Sequence, residues 1–142
     1  MKKLAFMLVA AMITSLTFAQ KLQEKDVPAP VKTSFQKHYP NIKEVKWDKE
    51  GEKFEASFDL NKVDNSVLFD AQGNILETEV EIELSQLPKG ILEYVKTNYI
   101  GQRVKEAAKI TDSKGTVTYE AEIKGMDLLF DSNGKFIKEI KD

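Results

Sequence analysis

The chain has 142 residues, a formal net charge of −2 at pH 7, no cysteine and a single histidine. This charge balance argues against nucleic-acid binding, which uses a strongly basic surface, and the lack of cysteine excludes disulfides, thiolate catalysis and cysteine-ligated zinc. With 42% hydrophobic and 31% charged residues, the composition is that of a globular protein rather than of a disordered chain.

The first 19 residues have the pattern of a secretory signal. Lys2 and Lys3 precede an apolar run, and Thr17 and Ala19 place small residues before a cleavage site at Gln20. The run is too short for a typical membrane span, so we expect cleavage, with an uncleaved N-terminal anchor as the alternative. Residues 20–25 are predicted to be a linker, and no later stretch is apolar enough to span a bilayer. We therefore expect a periplasmic or secreted protein.

Three sequence blocks occur twice in the rest of the chain, in the same order. The paired blocks are 31–39 and 91–99, 54–58 and 119–123, and 68–73 and 129–134. Such self-similarity is the signature of a repeated structural unit. The sequence therefore predicts two copies of one unit, residues 26–83 and residues 84–142.

Each copy is predicted to begin with an amphipathic helix. In the first copy the apolar residues recur every four positions, which places them on one helix face; they are Val27, Val31, Phe35 and Tyr39. The second copy repeats this spacing at Leu87, Ile91, Val95 and Tyr99. Asp26 and Ser85 are the predicted N-cap residues, because their side-chain oxygens can accept from the first free backbone N–H groups.

Strands are predicted after each helix. Residues 54–60 and 117–123 alternate between apolar and polar side chains, and residues 76–84 continue this pattern with glutamates on one face. This period of two is typical of half-buried strands. The predicted fold class is α+β, a tandem repeat of one helix and a four-stranded antiparallel sheet, with the two sheets forming a continuous open face.

Turns are predicted between these strands at segments rich in aspartate, asparagine and glycine. Asp48–Gly51 and Asp112–Gly115 are predicted to be turns before the two alternating strands. Asp70–Asn74 and Asp131–Lys135 are predicted to be hairpin turns, in which glycine supplies a positive φ.

The pattern of core and turn residues resembles that of the PepSY-like proteins. In the first copy the resemblance is carried by Pro28, Val31, Phe35, Tyr39-Pro40, Val45-Lys46-Trp47, Gly51, residues 54–58 and residues 69–73. In the second copy it is carried by Leu87-Pro88, Ile91, residues 119–122, Phe130-Asp131 and Gly134. These exported proteins are similar in fold to the β-lactamase inhibitor protein, which covers an enzyme active site with its concave sheet. The resemblance implies a binding surface on the sheet, not inhibition of β-lactamase.

Residues that could carry chemistry do not form a recognised catalytic or metal-binding pattern. His38 lies near the end of the first predicted helix, where a solvent-exposed position is expected rather than a place in a catalytic triad. Asp131–Gly134 lacks the further ligands of an EF-hand, so a turn is expected there. Neighbouring glutamates on one face of residues 77–83 are spaced widely enough for the two carboxylates of a glycosidase. The sequence lacks, however, the several aromatic residues on which a sugar would stack. No catalytic residue, metal or cofactor is predicted.

Trp47 is the aromatic residue whose position the sequence leaves open. It ends the first predicted strand, and its counterpart in the second copy is about Lys109. The surrounding residues do not alternate clearly enough to assign it to one face. It is either a core residue or an exposed anchor of the kind that is enriched in binding hot spots.

These observations lead to the hypothesis of a non-enzymatic binding or inhibitor-like protein that acts through its exposed sheet face. The surface is acidic, which suits a basic protein or peptide of the cell envelope. The predicted partner-binding residues are Trp47, Lys53, Glu55, Ser57, Asp59, Glu77, Glu79, Thr118, Glu120, Glu122 and Lys124. Two alternatives remain: a periplasmic small-ligand or cation-binding protein, which needs a concave pocket, and a carboxylate-based hydrolase, which needs raised glutamate pKa values in a cleft.

Overall fold

The structure is a computed structural model that describes residues 19–141. The predicted export signal, except for Ala19, therefore lies outside the described residues. The described chain divides into two compact units, and the division falls between Glu79 and Val80. We call residues 19–79 the N-terminal unit and residues 80–141 the C-terminal unit.

The N-terminal unit places one helix beside an antiparallel sheet. Its elements are strand β1 (Gln20–Leu22), a 3-10 helix (Glu24–Asp26), helix α1 (Ala29–His38), β2 (Lys46–Glu50), β3 (Lys53–Leu60), β4 (Val63–Phe69) and β5, which runs over Ile75–Ile82 and so past the division. Strands β1 to β4 pair in chain order, each antiparallel to the next. Strand β1 lies within the segment predicted as a linker, and its Leu22 pairs with Trp47 of β2.

The C-terminal unit has the same order of elements after β5. Its elements are a 3-10 helix (Leu84–Gln86), helix α2 (Ile91–Asn98), β6 (Glu106–Asp112), β7 (Val117–Ile123), β8 (Met126–Asp131) and β9 (Phe136–Lys141). Strands β6 to β9 pair in chain order and antiparallel. Helices and antiparallel strands in separate runs define the α+β class that the sequence predicts.

Both helices begin later than the sequence predicts. Asp26 and Ser85, the predicted N-caps, lie instead in the 3-10 helices. The cause is the proline that follows two residues later in one unit and three residues later in the other, because a residue before proline avoids the α-helical region. Val27 and Leu87 precede these prolines, and both have extended backbones with ψ of 131° and 143°. The α-helices therefore begin only after the prolines.

The core of the N-terminal unit is built on aromatic side chains between α1 and the sheet. The Phe35 ring lies 5.5 Å from the Trp47 ring and 5.1 Å from the Phe58 ring, both in edge-on arrangements. Such edge-on pairs are a favourable arrangement of aromatic quadrupoles. Val31 and Phe69 are fully buried beside them. This places Trp47 on the helix side of β2.

The core of the C-terminal unit uses aromatic residues at other positions. Tyr94 of α2 stacks on Phe136 of β9 with ring centroids 5.0 Å apart, and Phe130 lies edge-on to Tyr94 at 5.5 Å. The register also identifies the counterpart of Trp47. Trp47 pairs with Ala56 and Ala107 pairs with Ala121, so the counterpart is Ala107 and the assignment to Lys109 is wrong.

The hairpin turns are held by aspartate side chains. Asp70 Oδ1 accepts hydrogen bonds from the backbone N–H groups of Gln72 and Asn74, both at 2.9 Å. Asp131 Oδ1 accepts in the same way from Asn133 and Lys135. These are Asx-type turns, in which the carboxylate replaces backbone hydrogen-bond partners. Asp112 Oδ1 accepts from Lys114 and Thr116 in the same way, so the segment with calcium-loop residues is one of three equivalent turns in the described residues.

Candidate functional site

The face of the N-terminal sheet opposite α1 carries most of the polar side chains of β2, β3 and β4. We call it the outer face of this unit. The strand register and the alternation of side chains place on it Lys46, Asp48, Glu50, Lys53, Glu55, Ser57, Asp59, Asp64, Ser66 and Leu68. Acidic residues outnumber lysines there, so the outer face is negatively charged.

Glu55 lies at the centre of this outer face and is buried, with only 6% of its surface exposed. Its side chain is hydrogen-bonded to the side chains of Glu50 and Ser66, while its Oε1 atom has no hydrogen-bond partner. Burial, the neighbouring Glu50 carboxyl and, to a smaller degree, Asp48 raise the pKa of Glu55 to about 8. Glu55 is therefore protonated at neutral pH and donates to Glu50, because two adjacent buried carboxylates repel each other.

Acidic residues also lie directly opposite each other across the strands. Asp48 of β2 pairs with Glu55 of β3, and Asp59 of β3 pairs with Asp64 of β4. Because Glu55 is protonated at neutral pH, only Asp59 and Asp64 are a pair of like charges there. Cross-strand pairs of like charge are destabilising, and the helix-side core does not require this one. Burial also raises the pKa of Glu50. The pair of Asp59 and Asp64 is therefore better explained by a role outside folding.

Glu50 and Glu55 form a hydrogen-bonded carboxyl pair that shares a proton. Both residues are buried, with 9% and 6% of their surfaces exposed. A general acid or base must come within hydrogen-bond reach of its substrate, and the buried Glu55 Oε1 atom offers no such access. The accessible negative charge of the outer face belongs to Asp48 and Asp64, which are half-buried, and to Asp59, which is exposed; the exposed Lys46 and the half-buried Lys53 lie on the same face.

Several predicted partner-binding residues are less exposed than the alternation of the strands suggests. Glu55, Glu79 and Glu120 are each only 6% exposed, so their assignment to a solvated surface is corrected. Strands β3 and β7 lie inside their sheets, where side chains of both neighbouring strands flank Glu55 and Glu120; Leu68 and Leu129 pair with them on one side. Lys53, Ser57, Glu77, Thr118 and Glu122 are half-buried, and Asp59 and Lys124 are exposed.

Trp47 does not belong to the outer face. It is 6% exposed and lies against Phe35 and Phe69 on the helix side. The structure therefore supports the core interpretation, and the indole ring is not presented as an anchor on the outer face.

Sequence reasoning missed Asp48, Glu50 and Ser66. Asp48 and Glu50 were expected in a turn, but β2 continues through Glu50 and the turn begins at Gly51. The alternation Lys46, Asp48, Glu50 against Trp47 would have indicated the longer strand. Nothing in the local pattern indicates Ser66, because its contact with Glu55 depends on the pairing of β3 with β4.

The C-terminal unit has a different environment around the corresponding glutamate. Glu120 pairs with Ala108 of β6 and with Leu129 of β8, so no carboxyl lies directly opposite it. One step along the strands, Glu122 pairs with Glu106 on one side and with Asp127 on the other. Acidic residues thus lie in register in this unit too, but not opposite the central glutamate.

The remaining candidates for chemistry have structural positions. His38 is exposed at the end of α1, and its Nδ1 atom lies 2.8 Å from the carbonyl oxygen of Ser34 in the preceding turn. Within residues 19–141, no group of three or more histidine, cysteine, aspartate or glutamate side chains is arranged to hold a metal ion. Across the same residues, every helix is too short or too polar to cross a membrane.

A family model described as "Putative beta-lactamase-inhibitor-like, PepSY-like" matches residues 16–77 and 52–138. The two matches overlap and together cover most of the chain. The chain therefore belongs to the PepSY-like family, as the motifs of its sequence predict. No curated protein matches the chain.

Solved structures share the fold at low sequence identity. One is described as a "putative periplasmic" protein from Bacteroides eggerthii, 15% identical, with a TM-score of 0.71 over 81% of this chain and 88% of that chain. A DUF2874 family protein from Bacteroides uniformis is 21% identical, with a TM-score of 0.69 over 80% and 88%. A BLIP-like protein from Bacteroides fragilis is 23% identical, with a TM-score of 0.63 over 80% and 86%. The chain thus has a fold like that of the β-lactamase-inhibitor-like proteins.

Proposed function

We propose that this is an exported, non-catalytic binding protein, built from two copies of one helix-and-sheet unit, that uses the outer face of its sheet to bind a basic protein or peptide. The observation that carries the proposal is the excess of acidic side chains on the outer face of the N-terminal unit, where Asp59 and Asp64 lie directly opposite each other. A cationic partner would offset the repulsion between these two aspartates, so the complex would be stabilised by an interaction that the free protein does not have.

The accessible acids suit this role better than the buried ones. Asp59 is exposed and Asp64 is half-buried beside it, so a lysine or arginine of a partner could reach both carboxylates. Charges at the rim of an interface chiefly accelerate association and select the partner. The buried Glu55 contributes by fixing the neighbouring Glu50 rather than by touching the partner.

Export is supported by the secretory pattern of the first 19 residues and by the description of a structural relative as periplasmic. The absence of a catalytic role is supported by the positions of the candidate groups. The carboxyl pair is buried, and the only histidine of the chain lies at the end of a helix, beside a backbone carbonyl oxygen. A binding role requires only that the charge and the shape of the outer face match those of the partner.

The test uses defined peptides instead of an unknown partner. A fluorescently labelled octalysine peptide is titrated with the protein, and octaglutamate serves as the peptide of opposite charge. We expect saturable binding of octalysine and none of octaglutamate. Replacing the exposed Asp59 and the half-buried Asp64 together, Asp59→Asn with Asp64→Asn, should weaken octalysine binding by about 5- to 30-fold, since each rim charge contributes on the order of 0.5–1 kcal/mol.

A matched variant separates the outer face from general charge. Asp26→Asn with Glu93→Gln also removes two negative charges, from exposed positions on a 3-10 helix and on α2. We expect this variant to bind octalysine as the unchanged protein does. Equal weakening by both double variants, or no octalysine binding at all, would overturn the proposal.

A further inference from the structure

A buried carboxyl group lies at the centre of the negatively charged outer face of the N-terminal unit. Glu55 of β3 is 6% exposed and is hydrogen-bonded to Glu50 of β2 and to Ser66 of β4. Asp48 of β2 lies directly opposite it, and Leu68 of β4 pairs with it on the other side. The acids that neighbour Glu55 thus come from β2, and the side chains beside it from β4 are uncharged.

The hydrogen bond between Glu50 and Glu55 requires a proton. Ionised carboxylates only accept hydrogen bonds, so one member of the pair has to be protonated and to donate. When this proton leaves, two adjacent buried carboxylates remain beside that of Asp48. Lys53 pairs with Glu50 across the strands and offsets part of this charge. The negative charge at the centre of the outer face is therefore larger once the proton is lost.

We propose that the proton of Glu55 regulates the binding of the basic partner to this face. The partner binds the ionised form more tightly than the protonated form, and its binding promotes loss of the proton. Coupling between two binding equilibria is reciprocal, so both effects have the same magnitude. This inference rests on the proposed function, because it concerns the same face and the same partner.

Glu55 acts through its charge and not through contact, because its side chain is buried. Asp48 is half-buried and lies directly opposite Glu55, and the Cβ atoms of opposite residues are about 5 Å apart. A lysine or arginine that reaches Asp48 thus comes close to the Glu55 carboxyl. Salt screens partly buried charges less than exposed ones, and a nearby cation lowers the pKa of a carboxyl. The bound cation therefore opposes the effect of Glu50 on Glu55.

The pKa of Glu55 determines the range in which this regulation acts. Burial and the neighbouring Glu50 carboxyl raise it from 4.5 to about 8, so Glu55 loses its proton just above neutral pH. An acidic medium keeps the outer face in its weaker-binding form. A mildly alkaline medium converts it to the stronger-binding form.

The test measures peptide affinity as a function of pH. The probe is octaarginine with an acetylated N-terminus and a label whose fluorescence does not depend on pH, because guanidinium groups stay protonated throughout the range. Titrations run at constant ionic strength from about pH 6 to about pH 9. We expect affinity to rise by about 2- to 5-fold, as for one added charge, with a midpoint near the pKa of Glu55, about 8.

Three variants assign this rise to the carboxyl pair. Glu55→Gln should remove it, whereas Glu93→Gln, which removes an exposed carboxyl from α2, should retain it. Glu50→Gln should move the midpoint below that of the unchanged protein, because the carboxyl that helps to raise the pKa of Glu55 is gone. Any other group that titrates in this range is common to all four proteins.

The reciprocal effect is measured on Glu55 itself. Its carbon-13 carboxyl resonance is identified by its absence from Glu55→Gln and is followed against pH with and without saturating octaarginine. We expect the midpoint to be lower with the peptide. An equal midpoint, or a rise in affinity of the same size in Glu55→Gln, would overturn this inference. Octaarginine binding that does not change with pH would overturn it and leave the proposed function standing, whereas no binding at any pH would overturn both.

Discussion

The N-terminal and C-terminal units place their large core side chains at different positions of the same arrangement. In the N-terminal unit Phe35, Trp47 and Phe58 meet between α1 and the sheet. The corresponding residues of the C-terminal unit are Val95, Ala107 and Ile123, all smaller and all buried. The volume that these residues lack is supplied there by Tyr94 and Phe136, which stack at 5.0 Å.

The positions that carry large aromatic side chains in the C-terminal unit carry smaller side chains in the N-terminal unit. Ser34 and Ile75 occupy the places that Tyr94 and Phe136 have in the C-terminal unit. Cores tolerate such redistribution as long as the total apolar volume and the pattern are preserved. The comparison teaches that a core of this kind needs a certain total apolar volume, but that different residues can supply this volume.

The outer faces differ in a way that core packing does not explain. Asp48 pairs with Glu55, while the corresponding pair of the C-terminal unit joins Ala108 and Glu120. Glu50 likewise has Ile110 as its counterpart. Because alanine and isoleucine are accepted at these positions of the same fold, the carboxyl cluster of the N-terminal unit is not a requirement of folding. This difference is the reason for placing function there.

The largest expected effect comes from giving the N-terminal core the residue of its counterpart. Trp47→Ala should lower the free energy of unfolding by about 3–5 kcal/mol, because the contacts of the indole with Phe35 and Phe69 are lost and a cavity is left. Urea unfolding followed by circular dichroism measures the change. A loss below about 1 kcal/mol would show that the two cores do not depend on different residues.

A smaller effect is expected from the glycines of the two hairpin turns. A Cβ on Gly73, at φ +84°, would lie 2.5 Å from the carbonyl oxygen of Pro30, whereas a Cβ on Gly134, at φ +82°, would lie 3.2 Å from that of Lys89. An alanine at either position is strained by the positive φ. Only at Gly73 is the contact with the neighbouring carbonyl oxygen so short that the backbone has to move. We expect Gly73→Ala to destabilise by about 2–4 kcal/mol and Gly134→Ala by about 1–2 kcal/mol. Equal midpoints in urea would contradict this ranking.

A further effect on stability concerns Glu55 and depends on pH. Its pKa is raised from the ordinary value of 4.5 to about 8 by burial and by Glu50. Between these two pH values the folded state holds a proton that the unfolded state has released, so stability falls as pH rises through this window. Glu55→Gln removes this proton and should flatten the dependence.

We therefore expect Glu55→Gln to leave stability nearly unchanged at about pH 5 and to raise it by roughly 1–3 kcal/mol at about pH 9, where the unchanged protein buries an uncompensated charge. Urea midpoints across this pH range give the comparison. Parallel profiles for the two proteins would show that Glu55 is not the residue that holds the proton.

Much of the fold follows from local patterns. The period of two in residues 54–58 and 119–123 assigned the buried faces of β3 and β7, since side chains of a strand alternate between faces. Asp70 with Gly73 and Asp131 with Gly134 indicated the hairpin turns. The helix starts were missed because the capping pattern at Asp26 competes with the restriction that Pro28 places on the residue before it.

The candidate site was harder to predict because it depends on burial. The alternation correctly put Glu55 on the face opposite Phe54 and Ala56, but it could not show that Glu55 would be only 6% exposed. Burial of a strand residue depends on which side chains its two neighbouring strands bring beside it. Asp48, Glu50 and Ser66 reach Glu55 only through the pairing of β2, β3 and β4.

The sequence by itself determined the order of helix and strands, the apolar faces, the turn positions and the resemblance to the PepSY-like family, because these depend on residues a few positions apart. Tertiary structure alone decided that Trp47 lies in the core, that Glu50 and Glu55 share a proton, and that Asp59 and Asp64 lie opposite each other. Each of these depends on residues that strand pairing and helix docking bring together, and on the water that this packing excludes from between them.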